Sequence, residues 1–408
     1  MLGFSSLPEI LNLPTAPEKL AGWWYYAEKL RKKNYSLDEE MLRPYFSLDN
    51  VQSGAFFLAN RLYGITFRPI AAPVYHEEVR AYEVLDQDET HLGVLYFDYF
   101  PRPGKSQGAW CGNYVEQVYR DGKRVAPVLS IVCNFTRPTG STPALLTLDE
   151  TKTLFHEFGH ALHFLFHDVK YRGLSEVEGD FVELPSQIME NWVTEPEMLR
   201  QFAVHYRTDD VIPQHLIDRI RRSEYFNQGF NTTELVAAAL TDMDIHSIEK
   251  YEPFDVEAFE HDALRVRRNL MPQIEPRYRY PYFSHIFDGG YSAGYYFYIW
   301  AEVLDKDAFQ AFKQSGDLFN RRLAERFRRQ LLARGGSEDG MSLYRAFRGA
   351  DPDKTALLVA RGFIEPPQTA DSVAMPDAPA RPVAGSVDSL GARPRPTQAA
   401  RLKTTLKK

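Results

Sequence analysis

The chain has 408 residues and a mass of 47.0 kDa; 44% of its residues are hydrophobic, 25% are charged, and its formal net charge is −7. That is ordinary globular composition with length for a large core, and the acidic balance argues against nucleic-acid binding through a basic surface. Two cysteines, Cys111 and Cys133, exclude a disulfide framework and an all-cysteine metal centre, and no apolar run reaches the roughly 18 to 20 residues that span a bilayer.

Along the chain, the first residues (MLGFSSLPEILNLPTAPEK) lack a basic segment followed by an apolar core, so no signal peptide is expected and a cytoplasmic location is the default. Apolar groups at three- and four-residue intervals predict helices over 16–34 and 49–63. Strand-like runs follow at 79–86, 93–99 and 128–135, bounded by turn-rich stretches such as Pro101–Gly104 and Pro138–Gly140. Helical periodicity returns at 197–224, 231–250 and 255–271. The last segment, 364–408, holds seven prolines, seven Lys/Arg and four Asp/Glu without an aromatic, and is expected to be a disordered basic tail. The expected architecture is a mainly α-helical body with one small β-sheet.

The most informative segment lies after the strands. Residues 147–167 read TLDETKTLFHEFGHALHFLFH. Thr147 and Glu150 have capping-box spacing, which predicts a helix start. Leu154, Phe155, Phe158, Ala161, Leu162 and Leu165 supply its apolar positions. Inside it stands His156-Glu157-Phe158-Gly159-His160. Histidines at i and i+4 lie about one turn apart on one face and can converge on one ion at roughly 2.0–2.1 Å. Glu157 projects beside them, where a carboxylate could take a proton from a metal-bound water. The bland alternative is a pair of histidines on a half-buried helix face. His163 and His167 continue that face, too far along for the same ion, and are assigned to packing or supporting contacts.

A catalytic zinc usually takes three protein ligands and leaves one position for water. The stretch DFVELPSQIMENWV (180–193) supplies Glu183, 23 residues after His160. That separation lets one helix end, a turn form near Gly173 and a second helix pack back, with Pro185 tolerated in its first turn. The apolar neighbours Phe181, Val182, Leu184 and Ile188 argue for a buried carboxylate, which needs a cation. Helix capping with Asp180 is the alternative. Glu176, Glu178 and Glu190 are rival ligands, and Asp180 is the expected orienting partner of a ligand histidine.

Residues 278–298 contain seven of the chain's 23 tyrosines. Their core reads His285-Ile-Phe-Asp-Gly-Gly-Tyr291-Ser-Ala-Gly-Tyr295-Tyr-Phe-Tyr298, a glycine loop followed by an apolar helix. Phenol and imidazole donors can stabilise the oxyanion of amide hydrolysis. Tyr291, Tyr295 and Tyr298, spaced by four and three residues, could share a face. An aromatic core is the alternative.

Together these stretches resemble the zinc peptidase family of thimet oligopeptidase, neurolysin, oligopeptidase A and bacterial peptidyl-dipeptidase. The matching segments are FSLDNVQSGAFFLANRLYGITF, YFDYFPRPGKSQGAW, VLSIVCNFTRPTGSTPALLTLDETKTLFHEFGHALH, DFVELPSQIMENWV and HIFDGGYSAGYYFYIWAEVL, in that order, within about residues 20 to 363. The resemblance implies a gluzincin-type catalytic domain over 1–363, with one Zn²⁺ held by His156, His160 and Glu183 and the water activated by Glu157. It implies that His285, Tyr291 and Tyr298 contact substrate or oxyanion, and that Gly289, Gly290 and Tyr295 belong to a substrate-binding loop. Family members are typically longer, with a helical N-terminal half facing the site. The chain is expected to lack that half or to meet it as a separate partner. Ser175-Glu176-Val177-Glu178 stands where a glycine-threonine turn is usual. The expected activity is hydrolysis of short peptides, by internal cleavage or dipeptide release, without membrane or nucleic-acid partners. The rival is a truncated fragment that binds zinc and peptide without turnover.

Overall fold

Helices occupy most segments with three- and four-residue apolar spacing, and a single five-stranded sheet occupies the region of alternating residues. The computed structural model describes residues 23–366 apart from residue 251. Helices α1 (Trp23–Tyr35), α2 (Glu39–Leu42) and α3 (Leu48–Tyr63) precede the strands. These are β1 (Thr66–Pro69), β2 (Arg80–Leu85), β3 (His91–Asp98), β4 (Trp110–Val115), β5 (Val118–Arg120), β6 (Lys123–Val125) and β7 (Val128–Val132). The sheet order is β1-β2-β3-β7-β4, with β5 and β6 forming a separate hairpin. Only the β3–β7 pair is parallel. Parallel neighbours need a long connection, and here β4 and the hairpin supply it.

Helix α4 (Leu148–Phe166) packs beneath β3, β7 and β4. Its Phe155, Phe158 and Leu162 join Leu95, Phe97, Leu129 and Ile131 of the sheet and Leu58 and Leu62 of α3 in the main core. Phe158 meets Phe56 and Phe67 at ring separations of 6.1 and 5.6 Å, one of several offset aromatic contacts that stiffen this core. Helix α5 (Leu184–Val193) crosses α4, followed by α6 (Pro196–Phe202), α7 (Gln214–Arg222), α8 (Gln228–His246) and α9 (Val256–His261). Next come α10 (Ser284–Phe287), α11 (Phe297–Gln314), α12 (Arg321–Gln330), α13 (Gly340–Arg348) and α14 (Thr355–Ala360). A second, smaller apolar cluster joins α8 to 280–295 through Ala238, Ala239, Tyr280, Phe283, Ile286 and Tyr295.

Three expectations change. The helix over 197–224 is two helices, because the chain leaves α6 at Ala203, forms a Val204–Val211 bridge and re-enters only after Pro213. The helix over 255–271 ends early, passing into a π-turn at Asp262–Val266. The sheet gains β1 and β4, whose exposed or half-buried residues carry no clean alternation. The predicted tail lies outside the described residues from 367 onward, as do residues 16–22 of the first helix.

Candidate metal centre and catalytic site

The helix that carries His156 and His160 starts where the capping box requires. Thr147 Oγ1 accepts from the Glu150 N–H at 2.9 Å, and Glu150 Oε2 accepts from the Thr147 N–H at 2.8 Å. That start fixes the phase of α4, so His156 and His160 share one face, their ring centroids 5.0 Å apart. Glu183 sits at the N-cap position of α5 without making a capping bond, so its carboxylate is free for the histidines.

Gly159 brings the two helices together. A Cβ there would lie 2.2 Å from the Pro185 carbonyl oxygen and 2.6 Å from Ser186 Cα. Only a glycine lets the first turn of α5 sit this close, and the approach lays Glu183 across both imidazoles. Glu183 Oε2 is 3.1 Å from His156 Nε2 and 3.3 Å from His160 Nε2. All three donor atoms lie within 4.8 Å of one another.

Glu183 is a buried carboxylate flanked by two imidazoles. It is 2% exposed, and among the described residues its ionic neighbours are imidazoles, not Lys or Arg. Ser186 Oγ donates to its Oε2 at 2.8 Å and Tyr291 donates its phenolic O–H to Oε1 at 2.5 Å. Burial alone would push this carboxyl up; the His160 and His156 imidazoles overcome that and hold it well below the usual carboxylate range. Two imidazoles and one dry carboxylate, with no fixed cation to neutralise it, form a donor set that fits zinc.

The orienting partner of His156 is Glu190, not Asp180. Glu190 Oε1 lies 2.7 Å from His156 Nδ1, two turns along α5 from Glu183. Burial raises the Glu190 carboxyl, yet its bond to His156 lowers it on balance. Asp180 instead accepts from Tyr296 at 3.4 Å. The other rivals turn away: Glu176 is exposed, and Glu178 accepts from the Gly340 N–H at the start of α13.

Glu157 is 5% exposed, and its Oε2 has no hydrogen-bond partner among the described residues. Burial raises its pKa against the lowering effect of His156 and His160. His163 and His167 face each other at 4.6 Å in the interior, outside the His156–His160–Glu183 group. Burial depresses both, His167 to about 4, so they are neutral packing groups at neutral pH.

The tyrosine segment closes over this centre. The loop is not yet helical at Tyr291 or Tyr295, so helical spacing does not align them; its turns do. Tyr291 and Tyr298 stack at 5.4 Å and 5°, with Tyr295 5.2 Å from Tyr298. His285 lies 6.2 Å from Tyr291 and 6.4 Å from Tyr298, its Nδ1 buried without a hydrogen-bond partner among the described residues. Burial, with help from Glu183, pushes the Tyr291 and Tyr298 phenols well above their ordinary value, so both remain protonated donors. Gly290 takes φ +83°, and a Cβ on Gly289 would come within 2.9 Å of His285 Cα, so both glycines serve the tight return of the chain. Gln187 of α5 donates to the Tyr298 carbonyl at 3.1 Å, tying the loop's exit to the helix of Glu183. Ser186 and the Asp242 carboxylate described below are contributors that local sequence patterns did not reveal, and Gly159 is one that its place inside a helix could have flagged.

Comparison with known proteins gives the family. The family model described as Peptidase family M3 matches residues 15–363. A dipeptidyl carboxypeptidase of Salmonella typhimurium is 45% identical over 346 residues, covering 84% of this chain and 50% of its own length. Oligopeptidase A of the same organism is 38% identical over 355 residues, covering 85% and 52%. The organellar oligopeptidase A of Arabidopsis thaliana is 37% identical over 355 residues, covering 83% and 45%. The chain thus spans about half the length of these relatives.

Proposed function

Because the chain belongs to peptidase family M3, we propose that it is a zinc-dependent peptidase that hydrolyses peptide bonds in short, unfolded peptides. The observation that carries this reading is the meeting of His156, His160 and Glu183 within 4.8 Å beside a buried Glu157 whose Oε2 has no hydrogen-bond partner among the described residues. Zinc held by those three would polarise the scissile carbonyl and acidify the attacking water. Glu157 accepts the proton of that water and passes it to the leaving amine. Tyr298 and His285 present donors to the developing oxyanion, and Tyr291 does so once its O–H turns from Glu183 Oε1. Strand β4, an end strand of the sheet above α4, offers main-chain groups to an extended peptide. The names of the curated relatives support peptides as substrates. A separate helical partner facing the site belongs to the same proposal. Among the described residues no helix is long and apolar enough to cross a membrane.

The test is hydrolysis of an N-blocked, internally quenched peptide by the purified chain, with zinc content measured alongside. Chelation should abolish cleavage and added zinc restore it. One zinc per chain without cleavage would overturn the reading and favour a binding fragment.

A further inference from the structure

The loop bearing Tyr291 turns on a few bonds of its own, Tyr291 N–H to the His285 carbonyl at 2.9 Å and Gly294 N–H to the Tyr291 carbonyl at 2.8 Å. It contains Gly289, Gly290 and Gly294 within six residues, and Ala293 adopts φ +55°, a left-handed conformation that costs a non-glycine residue energy. The strained part of the loop has a second anchor outside it: Asp242, on α8, fully buried beside the smaller apolar cluster. Its Oδ1 accepts from the Ala293 N–H at 2.9 Å and its Oδ2 from the Tyr295 N–H at 2.8 Å. Both carboxylate oxygens are therefore committed to the loop backbone.

One turn further on, His246 Nδ1 lies 2.8 Å from Asp242 Oδ1 and 3.0 Å from the Asp242 carbonyl. Two acceptors facing one ring nitrogen place the proton on it, and the bond fixes the carboxylate rotamer. The neighbouring turn joins in: Tyr280 donates to the Thr241 carbonyl at 2.8 Å, while Ala238 and Ala239 pack with Phe283, Ile286 and Tyr295. A carboxylate is an expensive group to bury unless its hydrogen bonds are strong, and an ionised acceptor binds backbone N–H groups about twice as strongly as a neutral one.

We propose that Asp242, oriented by His246, is a positioning residue that holds the glycine loop so that Tyr291 reaches Glu183 and Tyr298 stacks beside it. Its effect on rate rests on the peptidase reading; its effect on the loop does not. Asp242→Asn keeps the size of the side chain but can accept through only one of the two atoms. In the full-length, zinc-loaded chain, amides within 288–296 should exchange hydrogen about tenfold faster or more, with exchange elsewhere and zinc content unchanged. With an N-blocked peptide, kcat should fall about tenfold or more while KM moves by less than about threefold, because the tyrosines act on the transition state. Combined with Tyr298→Phe, the two losses should fall short of multiplying. Unchanged exchange in the loop, or losses that multiply fully, would overturn the proposal. A chain that cleaves nothing would sink the peptidase reading, and the exchange result would still decide the loop. Should Asp242→Asn loosen the whole chain, His246→Gln is read in the same way: faster exchange confined to 288–296 supports the proposal and its absence overturns it.

Discussion

The two sides of the site are built differently. The proposed metal-binding side is made by packing: His156, His160 and Glu183 stand on two helices of the main core, pressed together at Gly159 with no room for a Cβ. The tyrosine side is made by hydrogen bonds: a loop of glycines and turns is pinned at Ala293 and Tyr295 to a carboxylate in a separate, smaller cluster. Packing admits one arrangement, which suits a ligand set that must stay within a few tenths of an ångström. A pinned loop keeps donors in register yet lets backbone rearrange at the cost of a few bonds. Damage to the first side should therefore be read as lost metal, and damage to the second as lost rate with the metal retained.

Gly159→Ala is the most severe way to break that contrast. The new methyl meets main-chain atoms of Pro185 and Ser186, not a flexible side-chain end, so α4 and α5 must separate. Zinc content should drop to near zero and cleavage with it; one zinc per chain in the variant would show that packing does not set the ligand geometry. Glu157→Gln comes next. Zinc should remain at wild-type content while cleavage falls about 10²- to 10⁴-fold. Since the carboxylate is buried with one oxygen unpartnered, thermal stability should hold or rise on neutralising it.

On the other side, Tyr298→Phe removes one phenol and leaves its stacking on Tyr291 in place. An expected loss of about a hundredfold in kcat with unchanged zinc content follows from removing one oxyanion donor. A loss of zinc instead would place Tyr298 with the metal-binding side.

The contrast also explains what could be read from the amino acids. The capping box, the His156–His160 pair and Glu183 were legible because helical phase and apolar neighbours are local facts. The aromatic wall was legible as composition. The partner of His156 was not: Asp180 and Glu190 both lie on the Glu183 segment, and the crossing of α4 and α5 alone decides that Glu190 arrives. Asp242 lies about fifty residues before the loop that it holds, inside an alanine-rich helix with no local signature. Gly159 did carry a signal, because glycine in a helix interior costs about 1 kcal/mol relative to alanine and needs a reason. Strand β4 escaped notice because Gly112 and Asn113 interrupt its alternation.

Glu190 supplies the mildest test, and it separates orientation from ligation. Its carboxylate touches His156 through Nδ1, the nitrogen turned away from Glu183, so it can hold the ring without contacting the ion. Glu190→Gln should weaken zinc affinity about 10- to 100-fold, the range for losing an outer hydrogen bond to a metal-binding histidine. Added zinc should therefore recover metal content, which it cannot do for Gly159→Ala. Asp180→Asn, at a carboxylate whose contact is Tyr296, should leave zinc affinity where it was. Competition against a chelator of known affinity reads all three variants. Equal weakening by the Asp180 and Glu190 substitutions would mean that general negative charge near the centre, and not the single bond to His156 Nδ1, tunes the site.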